Sequence, residues 1–302
     1  MIIFEPNITN RNTLNLSVLR LKAFCILLST LILTQCDKQT NKPDISQPET
    51  SYSFMVAGHV YGSPINDQIG MHEPFVSEFS FIKELDPDFV VLTGDVVNHS
   101  TTEEWNAVMN ELSQLEIDYN IAAGNHDRGA LFIEIFEEYY YSFLVEDDLF
   151  IILSPTNWNI EGEQKDFLEE TLNNFASEVN NVFVFCHELI WWSPDSIFQN
   201  VGINYLPHYP GNTNYWSEID PILRSFNNPI YFFAGDIGAG SLSSPYMYYH
   251  YDNLRLIASG MGNGVNDNYL IVEIIDGKVV LNLMATEGDP YRLEDIELYE
   301  LP

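Results

Sequence analysis

Length, composition and charge already exclude several classes of protein. The 302-residue chain is 46% hydrophobic, so it can bury the core of one large α/β domain or two small ones, and it is not a disordered chain. Its 12 Lys and Arg stand against 44 Asp and Glu, a formal net charge of -32. This charge repels polyanions, which excludes a nucleic-acid binder and a protein that docks on anionic lipid through a basic patch.

The N-terminal segment has the pattern of an export signal. Arg20 and Lys22 precede a nearly continuous apolar run from Ala23 to Thr34. The run has the length of a signal-peptide core and is too short to span a membrane. It is therefore excluded from the expected fold.

The end of this run predicts a lipid anchor. Leu33-Thr34-Gln35-Cys36 resembles a bacterial lipobox, although Gln35 stands where a small residue is usual. The resemblance implies a signal peptide of lipoprotein type over residues 1–35 and a diacylated Cys36 as the mature N-terminus. The protein would then be an extracytoplasmic, membrane-anchored bacterial lipoprotein, in the periplasm or at the cell surface. A cleaved secretory signal without lipid is the alternative.

A polar tether is predicted between the anchor and a globular domain. Residues 36–51 are polar after the cysteine and contain Pro43 and Pro48. The domain is then expected over residues 52–302. Of the three cysteines only Cys186 falls within it, so no disulfide framework can form there. A buried, inert thiol is expected at this position.

Short apolar runs rich in Val, Ile and Phe alternate with segments of helical period from Ser53 onward, which is typical of an α/β domain with buried strands. Six strands are predicted in this part, at Tyr52–Ala57, Asp88–Thr93, Ile117–Ala123, Leu149–Ser154, Asn181–Cys186 and Pro229–Ala234. After Ser244 four more follow with little helix, at Pro245–Tyr251, Leu254–Ser259, Asn268–Ile275 and Lys278–Ala285. Asp276-Gly277 between the last two predicts a hairpin turn.

Three helices are predicted between the strands. One has an apolar face over residues 105–115, and Thr101 with Glu104 predicts a capping box at its start. The others are expected at about residues 161–175 and 215–226.

Polar residues follow nearly every predicted strand. The clusters are Gly58-His59, Gly94-Asp95, Gly124-Asn125-His126-Asp127, His187 and Gly235-Asp236-Ile237-Gly238. Taken singly, a strand-end Asp or Asn is usually a turn residue or a helix cap, and a buried His is usually a core residue. Taken together, imidazoles and hard oxygens at the carboxyl ends of separate strands favour a metal site.

The order and spacing of these clusters resemble the calcineurin-like metallophosphoesterases, whose signature reads Asp-x-His, Gly-Asp, Gly-Asn-His-Asp/Glu, His and Gly-His-x-His. The similarity covers about residues 53–240. It implies an α/β (α+β) fold in which a two-sheet β-sandwich is flanked by helices. It also implies one or two divalent ions that activate a water for in-line attack on phosphorus.

Carried over position by position, the resemblance assigns roles to residues of this chain. Asp95 would bridge two ions, and His126 would be the catalytic histidine at the leaving group. The other ligands would be His59 on the first ion and Asn125, His187 and Asp236 on the second. Oxygen donors outnumber imidazoles at the second ion, so Mn, Mg or Fe(II) suits it as well as Zn.

The chain departs from the family pattern at the first ion. Ala57 stands where the family has its first Asp, and Asp236 and Gly238 replace the two histidines of the last motif. Only His59 and the shared Asp95 would remain to hold that ion, so the site for one of the two ions is incomplete.

The catalytic histidine is affected by a further departure. Asn98 occupies the place where some family members carry an Asp that orients this histidine. A less polarised His126 is therefore expected, because an orienting partner matters for general-acid work.

Several residues outside the motif are interpreted without a functional role. His72, His99, His208 and His250 match no family position and are expected on the surface or in loops. The aromatic stretches at 139–141 and 245–251 are assigned to packing, although exposed rings there would also suit a sugar.

Two functions remain in view. The first is a metal-dependent hydrolase that acts on a small-molecule phosphoester. The second is a catalytically silent relative that keeps the fold to bind a glycan or a protein partner at the cell surface. In both, the membrane is reached through the N-terminal lipid alone, nucleic acid is excluded, and no particular protein partner is identifiable.

Overall fold

The computed structural model of the chain describes residues 50–63, 69–264, 266–286 and 293–302. The predictions for the signal peptide and for Cys36, and those for the tether before residue 50, lie outside these residues. Within the described ranges no helix is both long and apolar enough to cross a membrane.

The described strands form two sheets. They are β1 Thr50–Ala57, β2 Phe89–Leu92, β3 Tyr119–Ile121, β4 Tyr141–Val145, β5 Asp148–Ile152, β6 Val182–Phe185, β7 Ile230–Ala234, β8 Tyr246–Tyr251, β9 Leu254–Ser259, β10 Asn268–Ile275 and β11 Lys278–Ala285. The first sheet has the order β11-β10-β1-β2-β3 and the second the order β4-β5-β6-β7-β9-β8. Strands β1, β2 and β3 run parallel, as do β5, β6, β7 and β9. Both sheets therefore gather several strand carboxyl ends at one edge.

Helices cover the outer faces of the sheets. They are α1 Glu73–Ser77, α2 Phe79–Leu85, α3 Thr102–Leu115, α4 Ala130–Phe136, α5 Gly162–Phe175 and α6 Asp220–Arg224. Side chains of α1 to α4 pack on the first sheet, and those of α5 and α6 pack on the second. A single π-type turn, Tyr215–Ile219, leads directly into α6.

The sandwich core follows from the alternation of side chains along each strand. In β1, Phe54 and Val56 face the second sheet, whereas Met55 and Ala57 face the helices. The Phe54 ring lies 5.2 Å from Phe150 across the sandwich, edge to face. The two sheets thus pack through an aromatic layer, and the predicted two-sheet sandwich flanked by helices is confirmed.

All ten predicted strands are present, but the chain also forms elements that the sequence pattern did not indicate. Strand β4 is an edge strand with largely half-buried residues, in a region whose aromatic residues had been assigned to packing. Helices α1, α2 and α4 have only five to seven residues each. Such short segments show too few turns for a helical period to be recognised, and packing rather than propensity stabilises them.

The hairpin and the α3 cap have the expected local chemistry. Asp276 and Gly277 both have positive φ, at 50° and 72°, as a type I′ turn requires. Thr101 Oγ1 accepts a hydrogen bond from Glu104 N at 3.2 Å. The Glu104 carboxylate, however, accepts from His99 N rather than from Thr101 N, so only half of the predicted capping box forms.

This cap should contribute measurably to stability. Thr101→Ala is expected to lower the free energy of unfolding by about 1 kcal/mol, because one N–H at the helix start loses its acceptor. Urea unfolding would measure it, with Thr102→Ala as a control that removes a neighbouring hydroxyl from the first helical residue. Equal midpoints for the two variants would contradict the assigned cap.

Candidate active site

The predicted site residues lie at the shared carboxyl edge of the parallel strands. His59 follows β1, Asp95 follows β2, His126 follows β3, His187 follows β6 and Asp236 follows β7. Because β1 to β3 belong to one sheet and β6 and β7 to the other, the site forms where the two sheets meet.

Close backbone contact brings the two sheets together at this edge. A Cβ on Gly58 would lie 2.5 Å from Gly235 Cα, and a Cβ on Gly235 would lie 2.1 Å from the Thr93 carbonyl oxygen. No side chain fits at either position, so glycine permits the approach that places residues after β1, β2 and β7 side by side.

Asp95 is the centre of the cluster. Its buried carboxylate lies with Oδ2 3.1 Å from His187 Nε2 and 3.5 Å from His59 Nε2, and Oδ1 accepts a hydrogen bond from His126 N at 3.1 Å. Burial raises the pKa of this carboxyl, but the neighbouring His187 and His59 outweigh burial and hold the pKa below its usual range. Asp95 is therefore a carboxylate, as its predicted role requires.

His187 is oriented toward Asp95 by a backbone carbonyl. Its Nδ1 donates to Thr93 O at 2.9 Å, which turns Nε2 toward the carboxylate. Burial lowers the pKa of His187, but Asp95 and, more weakly, Asp236 and Glu188 raise it to about 10. Without a metal ion this imidazole carries a proton, so ion binding at Nε2 would release it.

Asp236 and His59 complete the buried part of the cluster. Asp236 Oδ1 lies 3.9 Å from His187 Nε2, and burial is the main reason that the pKa of Asp236 rises to about 6. Burial likewise lowers the pKa of His59 to about 4, against the opposing effect of Asp95. His59 is thus a neutral imidazole beside a carboxylate, which is the form that binds metal ions.

The predicted catalytic histidine, His126, is oriented by a main-chain carbonyl. His126 Nδ1 donates to the backbone carbonyl of Asn98 at 2.6 Å. A main-chain oxygen thus orients the ring although no acidic side chain stands at position 98. Because a neutral carbonyl polarises an imidazole less than a carboxylate does, a less polarised His126 stays a prediction. The sequence could not indicate this contact, since any residue supplies a carbonyl.

Tyr61 is a site residue that sequence reasoning missed. Its buried ring lies 4.5 Å from the His59 ring and 5.2 Å from the His126 ring, measured between centroids. Burial is the first cause that raises the pKa of its phenol, and Asp95 is the next. No motif contains Tyr61, although its position two residues after His59 on the same strand-end loop is a signal in retrospect.

Asp127, quoted in the motif without a role, organises the surrounding loops. Its Oδ1 accepts from Val96 N and Val97 N, and its Oδ2 accepts from Gly124 N. The buried carboxylate thereby connects the loop after β2 to the loop after β3. Burial, followed by repulsion from Asp95, raises its pKa to about 6.

Asn125 is the one predicted ligand that does not join the cluster. Its side chain is exposed, and within the described ranges it has no hydrogen bond or ion pair to the other candidate ligands. Its neighbours do reach the centre, since His126 N contacts Asp95 and a Cβ on Gly124 would lie 2.2 Å from Asp95 Oδ1. The backbone thus brings Asn125 beside the site without engaging its amide.

The histidines outside the motif lie on the surface or in loops as predicted, and one of them is buried. His99, His208 and His250 are exposed as expected. His72, predicted to be a surface or loop residue, lies in the loop directly before α1, where it is buried and lies 2.8 Å from Asp267 Oδ2. Asp267 lies 195 residues further along the chain, so no local sequence pattern could indicate this pairing.

The donor atoms fit one metal ion better than two. In the described part of the chain, no group of three or more His, Cys, Asp or Glu side chains is arranged as a complete metal site. Two ligands about 2.1 Å from one ion lie roughly 3 Å apart in octahedral and roughly 3.4 Å apart in tetrahedral coordination. Asp95 Oδ2 lies 3.1 Å from His187 Nε2. His187 Nε2 is completely buried and faces this carboxylate. This pair therefore fits an ion that Asp236 could approach.

The first ion lacks both replaced ligands for a structural reason. Ala57 is packed in the core under the helices. Gly238 has φ of 88°, and a Cβ there would lie 2.6 Å from the Gly260 backbone. A histidine cannot be accommodated at position 238 without moving the main chain. The local backbone therefore accounts for the glycine at this position.

Gly238→Ala is accordingly expected to lower the free energy of unfolding by about 1 to 3 kcal/mol. Gly211→Ala is a matched control, because Gly211 has a similar φ of 92° but no atom within 4 Å of its would-be Cβ. A larger loss at 238 than at 211 would isolate the steric contact with Gly260. Equal losses, measured by denaturant unfolding, would show that the contact relaxes freely.

Comparisons with known proteins agree with this geometry. The family model described as calcineurin-like phosphoesterase matches residues 65–260. A probable cyclic nucleotide phosphodiesterase of Moraxella catarrhalis is 37% identical over 60 residues, which are 20% of this chain and 22% of that protein. A probable glycerophosphodiester phosphodiesterase of Arcobacter nitrofigilis is 28% identical over 116 residues, which are 33% of this chain and 41% of that protein. The matches thus span less than half the length of either relative.

The fold has solved counterparts. A dimetal phosphatase from Danio rerio superposes with a TM-score of 0.58 at 12% identity, covering 79% of this chain and 98% of that one. At this identity the likeness concerns the fold. The chain belongs to the calcineurin-like phosphoesterase family, because the model of that family matches residues 65–260.

Proposed function

We propose that this protein is a metal-dependent phosphoester hydrolase, exported and anchored to a membrane by lipid at Cys36. The observation that carries the hydrolase is the convergence on Asp95, a buried carboxylate with His187 Nε2 at 3.1 Å, His59 Nε2 at 3.5 Å and His126 N at 3.1 Å. Such convergence at the joint edge of two sheets is where a small substrate would bind.

Different residues of the site would bind the ion and transfer the proton. Asp95 and His187, with Asp236 beside them, would hold a divalent ion, which supplies Lewis-acid activation and lowers the pKa of bound water. His126, fixed through Nδ1 by the Asn98 carbonyl, leaves Nε2 free to hold the proton that the leaving oxygen takes up. His59 and Tyr61 are both buried beside these residues, with ring centroids 4.5 Å apart.

We propose small phosphodiesters as the substrate class. The two named relatives, a probable cyclic nucleotide phosphodiesterase and a probable glycerophosphodiester phosphodiesterase, support this choice. A diester carries one negative charge where a monoester carries up to two, and this suits a chain with a net charge of -32.

The hydrolase is tested by metal content and turnover together. Residues 37–302 would be purified and analysed for bound metal, then assayed with bis(p-nitrophenyl) phosphate and p-nitrophenyl phosphate in the presence of Mn, Mg, Zn or Fe(II). We expect close to one tightly bound ion and faster turnover of the diester. Neither bound metal nor turnover with any of the four ions would contradict the proposal.

The anchor is tested separately from the chemistry. Expression of the full chain in a bacterium fed radiolabelled palmitate should label the protein, and Cys36→Ala should abolish the label and release the protein from membranes. Cys25→Ala is the control, because it removes a cysteine that precedes the proposed cleavage point. Retained label in Cys36→Ala would refute lipidation at this residue.

A second candidate is a silent relative that binds a glycan at the cell surface. A cleft of about 470 Å³ exposes Trp216, Tyr249 and Tyr251 beside Asp195, and Trp216 is 39% exposed. Aromatic faces with a neighbouring carboxylate suit the apolar face and hydroxyls of a sugar. Glycan-array binding by a protein that lacks bound metal and turnover would favour this candidate over the hydrolase.

A further inference from the structure

Arg128 is a cation built into the strand-end edge of the site. It follows the His126-Asp127 pair directly and is mostly buried, with its side chain 22% exposed. Nη2 lies 2.8 Å from Glu188 Oε1 and 3.3 Å from the Ala123 carbonyl oxygen, and Nε donates to Ser154 Oγ at 2.9 Å. Three partners on three different strand-end loops therefore fix the plane of the guanidinium.

One edge of this guanidinium remains without a protein partner. A guanidinium has five N–H donors, and the contacts above use Nε and Nη2. Among the described residues Nη1 has no hydrogen-bond acceptor, and the side chain as a whole keeps 22% of its surface exposed. Glu188, by contrast, is almost completely buried. Within this ion pair, the arginine is therefore the member that solvent can reach.

A fixed positive charge would offset the negative charges that surround Arg128. Asp95, Asp127 and Asp236 are buried carboxylates at the same edge, and together they would repel an approaching phosphoester. The replaced ligands at Ala57 and Gly238 also remove support for one of the two positive ions that the family places at this point. Burial lowers the pKa of Arg128, but Glu188 and, more weakly, Asp95 and Asp127 outweigh burial and raise it.

We infer that Arg128 binds a non-bridging oxygen of the substrate phosphoryl group through Nη1, in place of part of the charge that the incomplete first ion site no longer supplies. This inference rests on the proposed function. Arginine suits the role because its planar fork can bind phosphate oxygens while its other edge stays paired with a carboxylate. Arg128 is then a substrate-binding residue, and Glu188 positions it.

The test uses inorganic phosphate, so it does not depend on turnover. Calorimetric titration of phosphate into the purified protein would compare wild type with Arg128→Met, Arg128→Lys and Glu188→Gln. We expect Arg128→Met to weaken phosphate binding at least about tenfold, with Arg128→Lys intermediate. Glu188→Gln should tighten binding, because it removes the competing charge and keeps an amide oxygen to hold the guanidinium.

Substrate binding by Arg128 predicts that Arg128→Met weakens phosphate binding and that Glu188→Gln tightens it. A purely structural ion pair predicts the same direction of change in both variants. If the pair only held the loops together, Arg128→Met and Glu188→Gln would weaken phosphate binding alike, which would overturn the inference. Phosphate binding unchanged in Arg128→Met would overturn it too. Arg224→Met is the matched control, since Arg224 is an ion-paired arginine on α6, and its loss changes the net charge equally.

Stability and turnover complete the design. Thermal unfolding identifies variants that do not fold, and Arg128→Lys carries the test if Arg128→Met is one of them. Where turnover of bis(p-nitrophenyl) phosphate is measurable, Arg128→Lys should raise KM more than it lowers kcat. If Arg128→Lys turns over the diester with the wild-type KM, the inference is refuted and the proposed hydrolase stands. If phosphate binding depends on Arg128 but the wild-type protein shows no turnover, the hydrolase is refuted and Arg128 remains a phosphate-binding residue.

Discussion

Asp95→Asn is expected to lower phosphodiester turnover by at least about a hundredfold and to reduce the metal content of the purified protein. Asn keeps the size and one acceptor oxygen of Asp, so His126 N can still donate to the side chain. It also tolerates the left-handed backbone at this position, where φ is 50°. What disappears is the negative charge that holds His187 and would hold the ion.

The matched control for this variant is Asp86→Asn. Asp86 is an exposed residue at the end of α2 with a nearly identical φ of 52°, so it repeats the chemical change at the same backbone conformation away from the site. We expect wild-type turnover and metal content in this control. Full activity and metal content in Asp95→Asn would remove Asp95 from the proposed site, whereas a loss of folding would appear in the circular dichroism spectrum.

His126→Ala is expected to lower turnover by at least about a hundredfold while the metal content stays at the wild-type level. The reason is that Nε2 of His126 is assigned to the leaving-group proton and not to an ion, while the backbone N–H that contacts Asp95 survives the change. General-acid catalysis commonly contributes a factor of this size. The effect should also be smaller for a substrate whose leaving group needs no proton.

That leaving-group dependence gives the sharpest check on the role of His126. Turnover of bis(p-nitrophenyl) phosphate, which has a good leaving group, should suffer less than turnover of a diester with an alkyl leaving group. His250→Ala is the control, since His250 is exposed on β8 and its ring nitrogen contacts only the nearby Asp252 carbonyl. Equal losses for both substrates would assign His126 a structural role in place of proton transfer.

The fold could be predicted where local pattern and tertiary packing agree. β6 and β7 are continuous apolar runs because both of their faces are buried. The hairpin at Asp276-Gly277 could be predicted because these two residue types tolerate the positive φ angles that its turn requires. Short elements were missed because their stability comes from distant contacts. Phe132 of α4, for example, packs against Trp105 of α3 with ring centroids 5.9 Å apart.

Most of the predicted site residues meet in the structure, with Asn125 as the exception, but their contacts could be predicted only in part. His59, Asp95, His126, His187 and Asp236 were predicted from the motif, and the structure brings all of them to one edge. The motif could not show that the Asn98 carbonyl orients His126, or that Tyr61 and Arg128 border the cluster. These contacts join residues through backbone atoms or across loops, and no spacing along the chain encodes them.

The sequence by itself determined which donors are present and which strands carry them, because alternating burial and strand-end polarity are local properties of the chain. Only the tertiary structure decided how those donors meet. The contact of Gly58 with Gly235 joins the two sheets, and the Gly260 backbone leaves no space for a side chain at Gly238. Distances between loops depend on how two sheets pack, and packing is a property of the whole folded chain rather than of any segment.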